Sequence, residues 1–168
     1  MSHPTFSSLA QRGGSTSARR ALVVEDQAVV ALALRHQLEA LGWTVTAIVA
    51  RGEDVEAAIA AHQPELVMLD IRLAGKMDGI AAMSKLDAST RPGVVIVSAF
   101  SDAETVSRAA DLDPDAYLIK PFEERLLRVT VELAAQRHRN RLARLAHQRA
   151  ERRLAAIVEY SQDAIVGV

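Results

Sequence analysis

Five side chains able to do chemistry stand directly after short apolar runs in this sequence. Glu25 and Asp26 follow the run 21–24, Asp70 follows 65–69, Ser98 follows 93–97 and Lys120 follows 116–119. Three carboxylates meeting at one place repel one another and raise each other's proton affinity, so such a cluster calls for a positive occupant. With oxygen ligands only, no cysteine in the chain and no suitably placed histidine, that occupant is Mg2+ or Mn2+ sooner than Zn2+. Mg2+ combines one or two carboxylates with waters and a phosphate oxygen, which points to phosphoryl chemistry. A metal, an ammonium and a hydroxyl around one carboxylate would neutralise the equatorial oxygens of a transferring phosphoryl group and leave the central carboxylate, Asp70, as the nucleophile.

These residues meet only if their carriers are parallel strands, because ligands in open parallel sheets sit at the carboxyl ends. The pattern from residue 21 supports this. Apolar runs at 21–24, 44–49, 65–69, 93–97 and 116–119 have strand length, and several are rich in Val and Ile. Amphipathic stretches between them predict helices over 27–41, 51–62, 78–88 and 102–111, with a fifth beginning after Pro121. In the first, Val30, Leu34, Leu38 and Leu41 share one face and Gly42 ends the run. Right-handed crossovers close this alternation into an α/β, flavodoxin-like (βα)5 doubly wound sheet of strand order 2-1-3-4-5.

At 168 residues the chain supports one sizeable core plus an appendage. No apolar run approaches the roughly 18 residues of a membrane span, and residues 1–20 lack the apolar core of a secretory signal, so a cytoplasmic location is expected. Residues 1–20 read as a disordered lead rich in turn formers. Charge is divided along the rest. Residues 21–135 hold ten Lys and Arg against eighteen Asp and Glu, whereas 136–153 hold seven Arg against one Glu.

The segments Ala-Leu-Val-Val-Glu25-Asp26, Leu-Val-Met-Leu-Asp70, Val-Val-Ile-Val-Ser98-Ala99 and Tyr117-Leu-Ile-Lys120-Pro121 together resemble a response-regulator receiver domain of two-component signalling, over about residues 20–135. The resemblance implies that Glu25 and Asp26 hold Mg2+ with Asp70 and the backbone carbonyl of Arg72. It implies that Asp70 accepts a phosphoryl group from a histidine kinase or phosphotransfer protein, that Lys120 contacts that group and that Ser98 hydrogen-bonds it on activation. Tyr117 would then swing inward and reshape the face made by the fourth helix, fifth strand and fifth helix. The Lys120-Pro121 bond is expected to be cis. Two alternatives stay open: Ser98 as a helix cap and Tyr117 as a static core aromatic. Phe100 offers no polar group to orient a hydrolytic water, so slow self-dephosphorylation is expected. His36, His62, His138 and His147 read as surface or helix-face residues, not phosphodonors.

Beyond Pro121 neither Pro nor Gly occurs until Gly167, which predicts a helix that outruns the domain as a basic linker over 136–158. Leu126, Leu133, Asn140, His147 and Leu154 recur at sevens, with Val129, Gln136, Ala143, Ala150 and Ile157 on a second seam. This is a degraded heptad, open to two readings: a parallel dimer with Asn140 setting register, or a solvated basic helix. Residues 150–168 resemble the opening of a PAS domain, its lead-in helix and part of a first strand, so the chain is expected to be a fragment feeding a PAS or kinase module. A homodimer through the fourth-helix face or the C-terminal helix is expected. The competing reading is a stand-alone regulator whose basic helix touches an acidic partner or nucleic acid. It lacks a helix-turn-helix or aromatic platform. A nucleotide-binding enzyme on this fold lacks the glycine-rich loop, since Glu25-Asp26-Gln27 stand in its place.

Overall fold

The computed structural model describes residues 19–99 and 103–165. Five strands, β1 (Arg20–Val24), β2 (Thr44–Val49), β3 (Leu66–Leu69), β4 (Gly93–Ser98) and β5 (Ala116–Ile119), form one parallel sheet in the order β2-β1-β3-β4-β5. The helices are α1 (Ala28–Ala40), α2 (Val55–His62), α3 (Gly79–Ser84), α4 (Ala103–Asp111) and α5 (Glu124–Ile165). The expected topology is therefore the observed one, and β1, β3 and β4 are apolar on both sides because both sheet faces are covered.

Alternation along the strands sorts the core into two layers. Ala21, Val23, Met68, Val95 and Leu118 pack toward Leu34 and Leu38 of α1 and Leu127 and Val131 of α5. Leu22, Val24, Leu69, Val94 and Ile96 pack toward Val55 of α2 and toward Ile80 and Met83 of α3. α1 ends where Gly42, at φ +82°, donates its N–H to the Glu39 carbonyl at 3.0 Å.

Two helices are shorter than the periodicity predicts. The segment 51–62 splits into a 3-10 turn, Gly52–Asp54, and α2 proper. Gly52 packs so close to Met77 that a Cβ would lie 2.3 Å from the Met77 carbonyl oxygen, which fixes the turn against the loop after β3. α3 stops at Ser84 and not at 88, because Asp87 turns the chain by accepting the Ser89 N–H at 2.8 Å.

α5 is 42 residues long, about 63 Å at 1.5 Å per residue. It continues through Ile165, where part of a strand was expected; no breaker precedes Gly167. Where it leaves the sheet it is fastened to the edge opposite the strands' carboxyl ends. Arg141 pairs with Asp115 at 2.9 Å, Arg137 donates to the Asp115 carbonyl at 2.8 Å and Arg139 pairs with Glu65 at 2.6 Å. Asp115 also accepts the Val94 N–H at 2.9 Å. Of the two positions expected for it, surface or helix face, His138 takes the second: it is buried on the inner face of α5 beneath this cluster, where Gly93 has no side chain to hold α5 away. His36, His62 and His147 are exposed.

Candidate functional site

Parallel register delivers the reactive residues to one edge. Asp70 follows β3 and donates its N–H to the Val24 carbonyl at 2.8 Å, while Glu25 follows β1 and donates to the Val49 carbonyl at 2.9 Å. At the other side of β4, the Lys120 N–H reaches the Ser98 carbonyl at 2.8 Å. Each end is thus stitched to its neighbour by the ladder, and Glu25, Asp26, Asp70 and Lys120 converge. One carboxylate oxygen from each of Glu25, Asp26 and Asp70 lies within 4.8 Å of the others.

The cluster is electrostatically uneven. Asp26 is exposed, whereas Asp70 is buried and the Glu25 side chain has no exposed surface. Lys120 Nζ lies 2.5 Å from Glu25 and 2.7 Å from Asp70, so one ammonium bridges the two buried carboxylates. Burial pushes the Glu25 carboxyl above its ordinary range, against the hydrogen bonds from Lys120 and the Gln27 N–H and with the help of the Asp70 charge. Burial alone would lower the Lys120 ammonium, but the hydrogen bonds and charges of Asp70 and Glu25 outweigh it and raise it. The remaining lone pairs are aimed by backbone: Gln27 N–H donates to Glu25 Oε1 at 3.1 Å and Arg72 N–H to Asp70 Oδ1 at 3.0 Å.

Three oxygen ligands, one open to solvent, suit a hard divalent cation. Ser98 ends β4 half-buried and turns its hydroxyl to the Ala99 carbonyl at 2.7 Å. Tyr117 is 49% exposed, which removes the static-core reading. Phe100, and with it the expectation about hydrolysis, lies outside the described residues, as does the lead up to residue 18.

Sequence reasoning passed over two positioning residues. Gly79 opens α3 so near β3 that a Cβ there would lie 2.1 Å from the Asp70 carbonyl oxygen. Asp78 caps α3 through the Ala81 N–H at 2.8 Å and pairs with Arg108 of α4 at 2.6 Å, tying both helices beside the site. A glycine after an N-cap residue, nine residues beyond the acidic strand end, was the available signal.

Residues 21–132 match the family described as response regulator receiver domain. Among curated proteins, the chain is 33% identical over 121 residues to the transcriptional regulatory protein PdtaR of Mycobacterium tuberculosis, covering 72% of this chain and 58% of PdtaR. It is 34% identical over 123 residues to the DNA-binding response regulator MtrA of Mycobacterium bovis, covering 73% and 53%. The chain therefore spans little more than half the length of these relatives. Among solved structures, the signal receiver domain of a modulated diguanylate cyclase from Desulfovibrio desulfuricans superposes with a TM-score of 0.67 at 31% identity, covering 71% of this chain and 95% of that one. The signal receiver domain of a histidine kinase from Syntrophus aciditrophicus gives 0.64 at 25% identity, covering 71% and 91%.

Proposed function

Since this chain belongs to the response regulator receiver family, we propose that it is the phosphoacceptor of a two-component relay, with Asp70 as the residue modified. The observation that carries this is the bridging of Asp70 and Glu25 by Lys120 beside an exposed Asp26. An Asp70 carboxylate oxygen attacks the phosphorus of a phosphohistidine on a histidine kinase or phosphotransfer protein; the P–O bond forms as the P–N bond breaks, and the electron pair leaves with the imidazole. Mg2+, or Mn2+, held by Glu25, Asp26, Asp70 and the backbone carbonyl of Arg72, would supply charge neutralisation for the transferring group. Lys120 stays within reach of the incoming oxygens because it already sits on Asp70.

Release of Ser98 from Ala99 toward the phosphoryl group, and inward rotation of the exposed Tyr117, would recast the face of α4, β5 and α5. That change would pass to a homodimer through this face or through α5, and along α5 to a PAS or kinase module. Among the described residues no helix is long and apolar enough to cross a membrane. The proposed role is cytoplasmic signalling, with self-phosphorylation and slow self-dephosphorylation as the chain's own chemistry.

The test is incubation with Mg2+ and acetyl phosphate followed by intact-mass measurement of wild type and Asp70→Asn. Uptake of one phosphoryl group by wild type alone is expected. Equal uptake by both would reject Asp70. A second reading, contact of the basic α5 with nucleic acid, is weakened because three of the seven arginines in 136–153, Arg137, Arg139 and Arg141, are turned to the chain's own carboxylates and carbonyls.

A further inference from the structure

An ion pair between α3 and α4 spans a gap in the packing. Between α4 and the loop after β3 lies a cleft of about 400 Å³, with Leu73, Met77 and Asp78 on one side and Thr105 and Arg108 on the other. α4 rests on the core through Ala109 and through Leu112 just beyond its end. Across the cleft, Arg108 in its last turn reaches Asp78 Oδ2 at 2.6 Å.

Asp78 is fixed to the phosphoacceptor from its other side. Its second carboxylate oxygen accepts the Ala81 N–H at 2.8 Å, which holds the side chain in place as the α3 cap. The next residue, Gly79, donates its N–H to the Ile71 carbonyl at 3.0 Å and lies against the Asp70 carbonyl oxygen with no room for a Cβ. Contacts this close pass a displacement on instead of absorbing it. The Asp70 backbone, Gly79, Asp78 and the guanidinium of α4 therefore form one connected path.

We propose that the Asp78–Arg108 pair is an inhibitory strut, which holds α4 in its resting place and opposes the rearrangement that phosphorylation of Asp70 drives. This rests on the functional reading above and adds to Ser98 and Tyr117 a second connection between Asp70 and α4. The pair coexists with the features that precede the switch in that reading, a Ser98 hydroxyl kept on the Ala99 carbonyl at 2.7 Å and an outward Tyr117. A contact made in one of two states biases the equilibrium toward that state by its own free energy. Asp78 is tied to β3, whereas α4 follows Ser98 in the chain, so movement of Ser98 toward Asp70 displaces the two ends of the pair differently.

Exposure sets the size of the effect. The Arg108 and Asp78 side chains are 44% and 31% exposed, and a pair so screened changes an equilibrium by about two- to fivefold. A shift from 1:99 to 99:1 takes roughly 10⁴-fold differential affinity, so a strut of this strength biases the resting population without blocking the change.

Isothermal titration calorimetry of the full chain with fluoroberyllate and Mg2+ measures the bias, because this phosphoryl mimic favours the switched state. Arg108→Gln is expected to bind it about two- to fivefold more tightly than wild type. Asp78→Asn, which keeps an acceptor for the Ala81 N–H, should tighten binding by a similar factor, and the double variant by no more than either single one. Arg108→Lys keeps the charge and should stay nearer wild type. Long-range charge alone would move the two single variants in opposite directions, since one removes a cation and the other an anion. A packing role alone would lower the urea midpoint without tightening binding. Unchanged or weaker binding by Arg108→Gln, opposite shifts of the single variants, or multiplied factors in the double variant would overturn the strut. Asp70→Asn separates the two levels: if wild type binds no better than Asp70→Asn, the phosphoacceptor assignment fails and the strut with it. If wild type binds and Arg108→Gln only matches it, the strut alone fails.

Discussion

Gly79 stands against Asp70 with no room for a side chain: a Cβ would come within 2.1 Å of the Asp70 carbonyl oxygen and 2.9 Å of Leu69 Cδ1. The obstructing atom is backbone at the end of a central strand, so it cannot rotate away. Gly79→Ala should therefore cost about 1–3 kcal/mol or more, as overpacking of a rigid site does. It should also lower the rate of phosphoryl uptake, because relief of the clash displaces the nucleophile's own backbone. Urea unfolding with a phosphorylation time course checks both. The assignment fails if stability and uptake are both unchanged.

Lys120→Met removes the single cation shared by Glu25 and Asp70. Two buried carboxylates then face each other uncompensated, at a cost on the order of 3 kcal/mol for breaking such a pair. A divalent ion should replace part of the lost charge, so Mg2+ should raise the melting temperature of Lys120→Met more than that of wild type. Thermal melts with and without Mg2+ decide it; equal increments would mean that Lys120 does not balance the cluster. Phosphoryl uptake should fall in the variant, since the remaining residues lack its ammonium.

The topology and the four polar strand ends were legible in the sequence because each rests on a local pattern. A run such as Leu-Val-Met-Leu before Asp70 announces a strand and its end in five residues. The cis Lys120-Pro121 bond was expected from the family resemblance and is present. What escaped depends on contacts between distant segments. Nothing near Gly79 states that β3 passes within van der Waals distance. Nothing near His138 states that Gly93, forty-five residues earlier, leaves space for it. The helix over 78–88 was overextended for a related reason, since apolar spacing persists past Ser84 while the Asp87 turn, a side-chain-to-backbone bond, ends the helical path.

Asp115→Ala should be among the more destabilising changes outside the site. Its carboxylate takes Arg141 with one oxygen and the Val94 N–H with the other, both in a largely buried setting. Truncation leaves a buried donor and a partly buried guanidinium without their acceptor, a loss of about 3–5 kcal/mol. Asp115→Asn should cost less, because the amide oxygen still accepts from Val94. Chemical denaturation ranks the two, and the reverse order would contradict the proposed hub. Phosphoryl uptake in native buffer should be retained by Asp115→Asn, which lies at the opposite end of the sheet.

Acid should weaken the same cluster through His138. Burial first, then the charge of Arg141, pushes this imidazole below its ordinary range, while Asp115 and Glu65 oppose and Arg139 adds to the effect. Arg141 Nη2 lies 3.0 Å from Nδ1, so in the neutral ring Nδ1 is the acceptor. A lowered folded value means that the unfolded chain binds the proton more tightly. The contribution of His138 is therefore complete above the unfolded value near 6.5 and is lost as pH falls below it, at no more than about 1.4 kcal/mol per pH unit. Glu25 has the opposite sign: its raised value favours the folded state at low pH and is lost as pH rises through the folded value. The difference between wild type and His138→Gln isolates the imidazole, because Glu25 is common to both. Urea unfolding from pH 7.5 to 5 should show wild type losing stability relative to His138→Gln below about pH 6.5. Parallel curves across that range would mean that His138 titrates as freely in the folded chain as in the unfolded one.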